Sequence, residues 1–553
     1  MFRSIVIYFT LLQSVSYVSA NEAEVEHQLL LAGGALKTCS SMAPRNCSDA
    51  AWVDAETMRT GNRVTLDEKT IEPLFSDDLW PVMRSSVRDK VKKIINTIRD
   101  DSSKLSMSSS AFADAFRAAD EELYRELSDA EWYRIIDHLQ VPVTLPEQVN
   151  FAATENAYSR AIYQRFVAMA AAAAKERGAT SRGPRILIST ASSRDPFDAV
   201  DFYLAVFRQA GAAVDVEVRW LPLDAAIRAA QTADQCKRLE SYRAEVLGSH
   251  QRARVYPAKH REQLAFCQDS EAARELLEWA DGLFLNGGDQ SLTVQAFRQP
   301  NGEPTSELEL IQQRLAASTL VLGGTSAGTA VQSPQPMISN GSSRAALLDG
   351  AVAAPAPQVG CERDGTCLRG VSSDSLTYDA LGGLATFAAG ILDTHFSERG
   401  RQARLMRLAA DTKTPFAVGV DETTALAVNV RNGAFEVVGE RGVFFIEGAT
   451  AADTAVAATV SYLSSGATGT LSRSGLDEVV FATDGHTVPS DDSADFLRDR
   501  TAIELLKRVC SGAEQIRESF DDAQLLIQVD AQSRFARSGT ECQVHNVQMG
   551  FVY

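Results

Sequence analysis

The run Leu320-Val321-Leu322-Gly323-Gly324-Thr325-Ser326-Ala327-Gly328 sets a serine between near-flanking glycines, directly after a short apolar segment. That order reads as a buried strand that turns at once into a helix, the turn known as a nucleophile elbow. The turn forces its central residue into a strained backbone conformation, and the glycines remove side chains that would collide. The Ser326 hydroxyl is then pushed out above the sheet edge. The amide of Ala327, at the helix start, points toward a developing oxyanion. An ordinary glycine-rich turn has the same composition, so the stretch has to be weighed with the rest of the chain.

Outward from the elbow, other apolar runs end in small or polar residues. Leu29-Leu30-Leu31-Ala32-Gly33-Gly34 reads as a buried parallel strand and its turn, and Arg185-Ile186-Leu187-Ile188-Ser189-Thr190 as a second. A helix through Val200 to Ala210, carrying Tyr203, Val206 and Phe207, precedes an expected strand Val214-Asp215-Val216-Glu217-Val218. Gly282-Leu283-Phe284-Leu285-Asn286-Gly287-Gly288 follows. Strands alternating with helices predict an α/β fold with a doubly wound, mostly parallel sheet. Ligands in such sheets sit at the carboxyl ends of strands, where Gly287-Gly288 and Ser326 both fall.

Between the first two strands, periodic apolar positions (Val87, Val91, Ile94, Ile95, Ile98; Phe112, Phe116; Ile162, Phe166, Met169) predict a helical insertion. It is either a cap over the site or decoration on the far side of the sheet. Later, Val418 to Ala427, Ala434 to Val438 and Gly442 to Ile446 show the alternation of antiparallel strands. From about residue 470 the chain is a tail with a predicted helix from Ala494 to Val509.

Composition narrows the function classes. At 553 residues and 45% hydrophobic the chain is globular, and a net charge of −18 argues against nucleic acid, which needs basic patches. The start, Met1-Phe2-Arg3 with the apolar Ile5 to Leu12 and small residues up to Ala20, reads as a secretory signal peptide, with an uncleaved anchor as the minor alternative. The cysteines fall in sequence-adjacent couples, Cys39 with Cys47, Cys236 with Cys267, Cys361 with Cys367 and Cys510 with Cys542, so four local disulfides in an oxidising compartment are expected. No C-x-x-C occurs and the seven histidines are scattered, so no metal site is expected.

A serine nucleophile needs a histidine base. Ile391-Leu392-Asp393-Thr394-His395-Phe396 places His395 just after an apolar run, hence at a strand end, a setting that the other histidines lack. Behind it stand Arg399, Arg401, Arg404 and Arg407. Guanidinium forks suit carboxylates and point to an acidic substrate; a solvated helix face paired with nearby acids is the alternative.

Gly287-Gly288-Asp289-Gln290, Gly323 to Gly328, Asp393-Thr394-His395-Phe396-Ser397-Glu398-Arg399-Gly400-Arg401 with Arg404, and Gly419-Val420-Asp421-Glu422-Thr423-Thr424-Ala425 occur in the order seen in cyanophycinases. The chain resembles the cyanophycinase and dipeptidase E family of serine peptidases, over roughly residues 28 to 40 and 183 to 465. The resemblance implies a class I glutamine amidotransferase-like fold with no cofactor. It also implies cleavage of cyanophycin, a poly-aspartate backbone with arginine on each β-carboxyl, into β-aspartyl-arginine dipeptides. By position, Ser326 is the nucleophile, His395 the base, and Gly288 and Ala327 the oxyanion amides. Gln290, Asp393, Thr394, Arg399, Arg401 and Arg404 fall in the substrate pocket. The chain then divides into a signal peptide (1–20), a peptidase domain (21–47 and 181–465), a helical insertion (48–180) and a C-terminal extension (466–553).

Two points depart from the family pattern. Thr394 stands where the family has glutamine, which bears on substrate preference. For the third triad member, Ser333, Ser339 and Asn340 follow the elbow but no acid precedes Arg344, leaving Asp349 as the candidate. Two other readings stay open: a peptidase of α-aspartyl or other short acidic peptides, and an inactive binding protein on the same fold. The expected partners are cyanophycin or an aspartyl peptide, with no nucleic acid and no stable membrane span; a homodimer is left open. The expected location is secreted or periplasmic.

Overall fold

The computed structural model describes residues 26–101, 105–483 and 494–553; the signal-peptide reading lies outside them. Five strands lie side by side and all parallel in the order Leu29–Ala32, Val321–Thr325, Gly282–Leu285, Arg185–Ser189, Glu217–Leu221. Their near-continuous apolar runs have a physical reason, since strands covered on both faces need apolar side chains on both. The register matters for function. Gly324 lies opposite Leu31 on one side and Leu285 on the other, so the turns after all three strands leave the sheet at one edge.

Helices cover both faces. On one, the helix Ala157–Glu176, capped by the Asn156 side chain on the Ser159 amide, brings Phe166 over the sheet, 5.3 Å from the Phe284 ring centroid. A Cβ at Gly323 would stand 2.7 Å from that Phe166 ring, so this glycine lets the helix seat on the elbow strand. On the other face Leu31, Leu187, Leu283, Leu285 and Leu322 pack with Ile227, Leu277, Phe297 and Leu308. The fold is mixed α/β, and among the described residues antiparallel strands extend the parallel set to nine in one sheet.

Two local expectations are corrected. The strand expected at 214–218 lies at Glu217–Leu221, after a short helical turn at Ala212–Val214. Val214 is exposed, and Val218, Trp220 and Leu221 carry the burial, so the apolar alternation at 214–218 was out of register. The helix expected at 494–509 is only Thr501–Leu506. Upstream of it Asp495 closes a turn on the Leu497 amide.

The 418–427 segment is two strands, and they belong to different sheets. Thr424–Val428 runs antiparallel to Leu29–Ala32 in the first sheet. Phe416–Val420 runs parallel to Ile391–Thr394 in a second sheet, which continues through Gly442–Ala452, Ala455–Ser464 and Glu541–Val552. The chain crosses between the sheets at Asp421, Glu422 and Thr423.

The remaining inserted helices surround a core of their own, with Val91, Ile95, Phe112, Phe116 and Leu139. They attach through Asp137, whose carboxylate takes two hydrogen bonds from Arg194 (2.7 and 3.1 Å), a residue on the turn that leaves Arg185–Ser189. The four disulfides pair the cysteines as expected. Among the described residues, no helix is long and apolar enough to cross a membrane.

Candidate active site

Ser326 adopts φ 54°, ψ −119°, a region that a residue with a side chain enters only when its surroundings hold it there. Its amide donates to Ala32 O (3.1 Å) and its carbonyl accepts from the Thr329 and Ala330 amides (2.8 and 3.0 Å). The flanking glycines are required sterically. A Cβ at Gly324 would stand 2.1 Å from Gly328 O, and one at Gly328 would stand 2.3 Å from Leu285 O.

His395 reaches this serine from the second sheet. It also has a positive φ (48°), and its amide donates to Gly33 O (2.8 Å) in the turn after the central strand. Its Nε2 lies 2.8 Å from Ser326 Oγ and its Nδ1 lies 2.7 Å from Glu422 Oε1. A carboxylate can only accept, so Nδ1 carries the proton and Nε2 turns its lone pair to the serine hydroxyl. The hydrogen bond from His395 holds the Glu422 carboxyl below the usual carboxylate range, with the Arg399 charge adding to it, so Glu422 is an anion at neutral pH. The three groups stand in the geometry that a nucleophile, a base and an orienting acid need.

Gly287 and Gly288 border the hydroxyl. A Cβ at Gly287 would stand 3.2 Å from Ser326 Cβ, while one at Gly288 (φ 145°) would stand 2.1 Å from Ser192 O. Among the described residues, neither the Gly288 nor the Ala327 amide donates a hydrogen bond to another backbone group. Gln290 lies at the start of the helix Gln290–Phe297 and donates to Ile338 O (2.8 Å).

The charged residues around His395 in the chain split into two sets. Asp393 is buried and takes two hydrogen bonds from Arg404 (2.9 and 2.7 Å) and one from Arg401 (3.2 Å). Burial works to raise the Asp393 carboxyl, but the two arginine charges outweigh it and hold it below its usual range. Burial, with the Arg404 charge, pushes Arg401 down to about 9. Thr394 is buried beside them, its carbonyl taking a 2.6 Å bond from Arg401. Arg399 is exposed and makes no hydrogen bond or ion pair among the described residues. Unlike Arg401 and Arg404, it faces solvent, and its charge acts on Glu422.

Curated proteins similar to this chain are cyanophycinases. The chain is 29% identical over 197 residues to a cyanophycinase of Trichormus variabilis, covering 36% of this chain and 54% of that protein. The chain is cyanophycinase-like. A Nostoc cyanophycinase is 28% identical over 197 residues, again 36% of this chain and 54% of that protein. A Geminocystis herdmanii cyanophycinase is 29% identical over 175, covering 32% and 52%. The chain spans about half the length of these curated relatives. No protein-family model matches it. A solved peptidase from an acI-B1 Actinobacterium overlays with a TM-score of 0.34 and 16% identity, over 57% of this chain and 92% of its own.

The acid that meets His395 is Glu422, which the sequence reading left unassigned. Asp349 ends a separate helix, Ser343–Asp349, and among the described residues no hydrogen bond joins it to His395. A signal for Glu422 was present: it follows the run Phe416–Val420, and parallel neighbours end at the same edge, so residues just past that strand and past Ile391–Thr394 meet.

The site also predicts the effect of a side chain at Gly34. This residue has φ 113°, and a Cβ there would stand 2.4 Å from His395 Cε1. Gly34→Ala is expected to displace the imidazole and lower kcat by about 100-fold with KM little changed. Steady-state kinetics on protein with an unaltered circular dichroism spectrum checks this, and a kcat within threefold of wild type would refute it.

Proposed function

We propose that the chain is a serine peptidase of the cyanophycinase type that hydrolyses cyanophycin through an acyl-enzyme on Ser326. The observation that carries the reading is the continuous relay Ser326 Oγ, His395 Nε2, His395 Nδ1, Glu422 Oε1 at 2.8 and 2.7 Å. His395 takes the hydroxyl proton as Oγ attacks the backbone carbonyl of an aspartyl residue. The developing oxyanion sits between the Gly288 and Ala327 amides, each donor of this kind lowering the barrier by roughly 3 kcal/mol. The protonated His395 then gives its proton to the departing amine as the peptide C–N bond breaks. Water, deprotonated by His395, splits the ester and releases a β-aspartyl-arginine dipeptide.

The substrate assignment is supported by charge. Arg399 is an exposed cation near the triad and suits the free α-carboxylate that each side-chain arginine of cyanophycin carries, while Gln290 offers a neutral polar contact. Asp393 holds both Arg401 and Arg404 by hydrogen bonds, so in this reading the three form the pocket wall behind Thr394. The parallel sheet with an elbow at its carboxyl edge supports a class I glutamine amidotransferase-like fold. Four disulfides support a secreted or periplasmic location.

Mass spectrometry of the products from purified cyanophycin tests the reading. Release of β-aspartyl-arginine is expected. Intact polymer, alongside cleavage of short α-aspartyl peptides, would replace cyanophycin as the substrate.

A further inference from the structure

Arg500, on the C-terminal extension, is fully buried between the two loops that carry His395 and Glu422. One of its terminal nitrogens donates to Glu398 Oε1 (2.7 Å) and to Asp421 Oδ2 (2.9 Å); the other donates to the Tyr462 hydroxyl (3.3 Å). Both carboxylates use their remaining oxygen on the catalytic loops. Glu398 Oε2 accepts from the Glu422 amide (3.0 Å), and Asp421 Oδ1 accepts from the Ser397 amide (3.0 Å), two residues past His395.

We propose that Arg500 is a positioning residue for the His395–Glu422 pair, so that the C-terminal extension is part of the catalytic unit. This rests on the peptidase reading above.

The physical argument starts from like charge. Glu398 and Asp421 share one buried space, and without a cation between them their repulsion would favour protonation or separation. Burial, with the Asp421 charge, already pushes the Glu398 carboxyl up. Arg441 also bonds Glu398, but no bond from it to Asp421 is present among the described residues. Arg500 therefore joins the two loops. Its planar fork suits two acceptors at fixed angles, which a lysine ammonium would meet less well.

The extension is itself firmly placed. The strand Glu541–Val552 pairs with Ala455–Ser464, and that sheet continues to Phe416–Val420, which leads into Asp421 and Glu422. The Cys510–Cys542 disulfide ties the segment after Thr501–Leu506 to the same strand. Gly400 lies against the extension so closely that a Cβ there would stand 2.3 Å from the Arg498 amide nitrogen. Arg500 is thus held by a sheet and a covalent staple rather than by a loose tail.

The test uses the full chain and two readouts: the rate of covalent labelling of Ser326 by a fluorophosphonate probe, and kcat with KM on cyanophycin. Arg500→Met is expected to lower the labelling rate and kcat by about 10- to 100-fold with KM within threefold, and Arg500→Lys to recover part of the loss. In a Glu422→Gln background, Arg500→Met is expected to cost less than about threefold, because the residue acts through Glu422. Labelling at the wild-type rate by folded Arg500→Met, or an equal loss in both backgrounds, overturns the proposal. If Arg500→Met does not fold, Glu398→Gln decides: it is expected to slow labelling at least tenfold, and a wild-type rate overturns the proposal. Absence of labelling in the wild type overturns the peptidase reading and this inference with it. Labelling without cyanophycin cleavage overturns only the substrate.

Discussion

Ser326→Ala is expected to lower cyanophycin hydrolysis by about a million-fold in kcat, with KM within a few-fold of wild type. The loss is large because the Oγ is the atom set 2.8 Å from the base, and no side chain replaces it. Alanine keeps the Cβ of serine, and the backbone bonds that hold φ at 54° do not involve Oγ, so the variant is expected to fold with an unchanged melting temperature. The Gly288 and Ala327 amides proposed for the oxyanion remain, so a residual rate about 1,000-fold above uncatalysed hydrolysis is expected. Clearing of cyanophycin suspensions, followed by product quantitation, measures this. Activity within tenfold of wild type would mean that another group is the nucleophile.

Glu422→Gln is expected to be the next largest effect, about 1,000- to 10,000-fold in kcat. Ionised Glu422 accepts from Nδ1 and so keeps the Nε2 lone pair on the serine. A glutamine amide can donate to Nδ1, which favours the tautomer with a proton on Nε2, pointing at Oγ, where it cannot act as a base. The imidazolium formed during attack also loses its counter-charge. Nearly equal volume should leave the fold unchanged, so a loss below tenfold in a folded variant would remove Glu422 from the relay. Glu422→Asp should fall between, since the charge is kept but the carboxylate is drawn back by one methylene.

Much of this site is legible along the chain because its chemistry sits at strand ends. The apolar run before Ser326, the glycines that the turn needs and the histidine just past Ile391–Thr394 are local signals, each imposed by a local steric or burial requirement. Glu422 was passed over because its role depends on which strands are neighbours. Phe416–Val420 and Thr424–Val428 look like one apolar segment, yet they enter different sheets, and the residues between them form the crossing that meets His395. The arginines show the same limit. Arg399, Arg401 and Arg404 have the same residue type and close spacing, but burial and Asp393 remove two of them from the open cleft.

By itself the sequence determined the glycine-flanked turn at Ser326, the strand-end place of His395, the four cysteine pairs and a parallel α/β core, because strand burial, turn sterics and adjacent cysteines act over a few residues. Only the tertiary structure decided the acid behind His395, which cation stays free, and the placement of Arg500 beneath the catalytic loops. Those depend on register between two sheets and on which charges share a buried space, and residues some eighty positions apart in the chain carry no local mark of either.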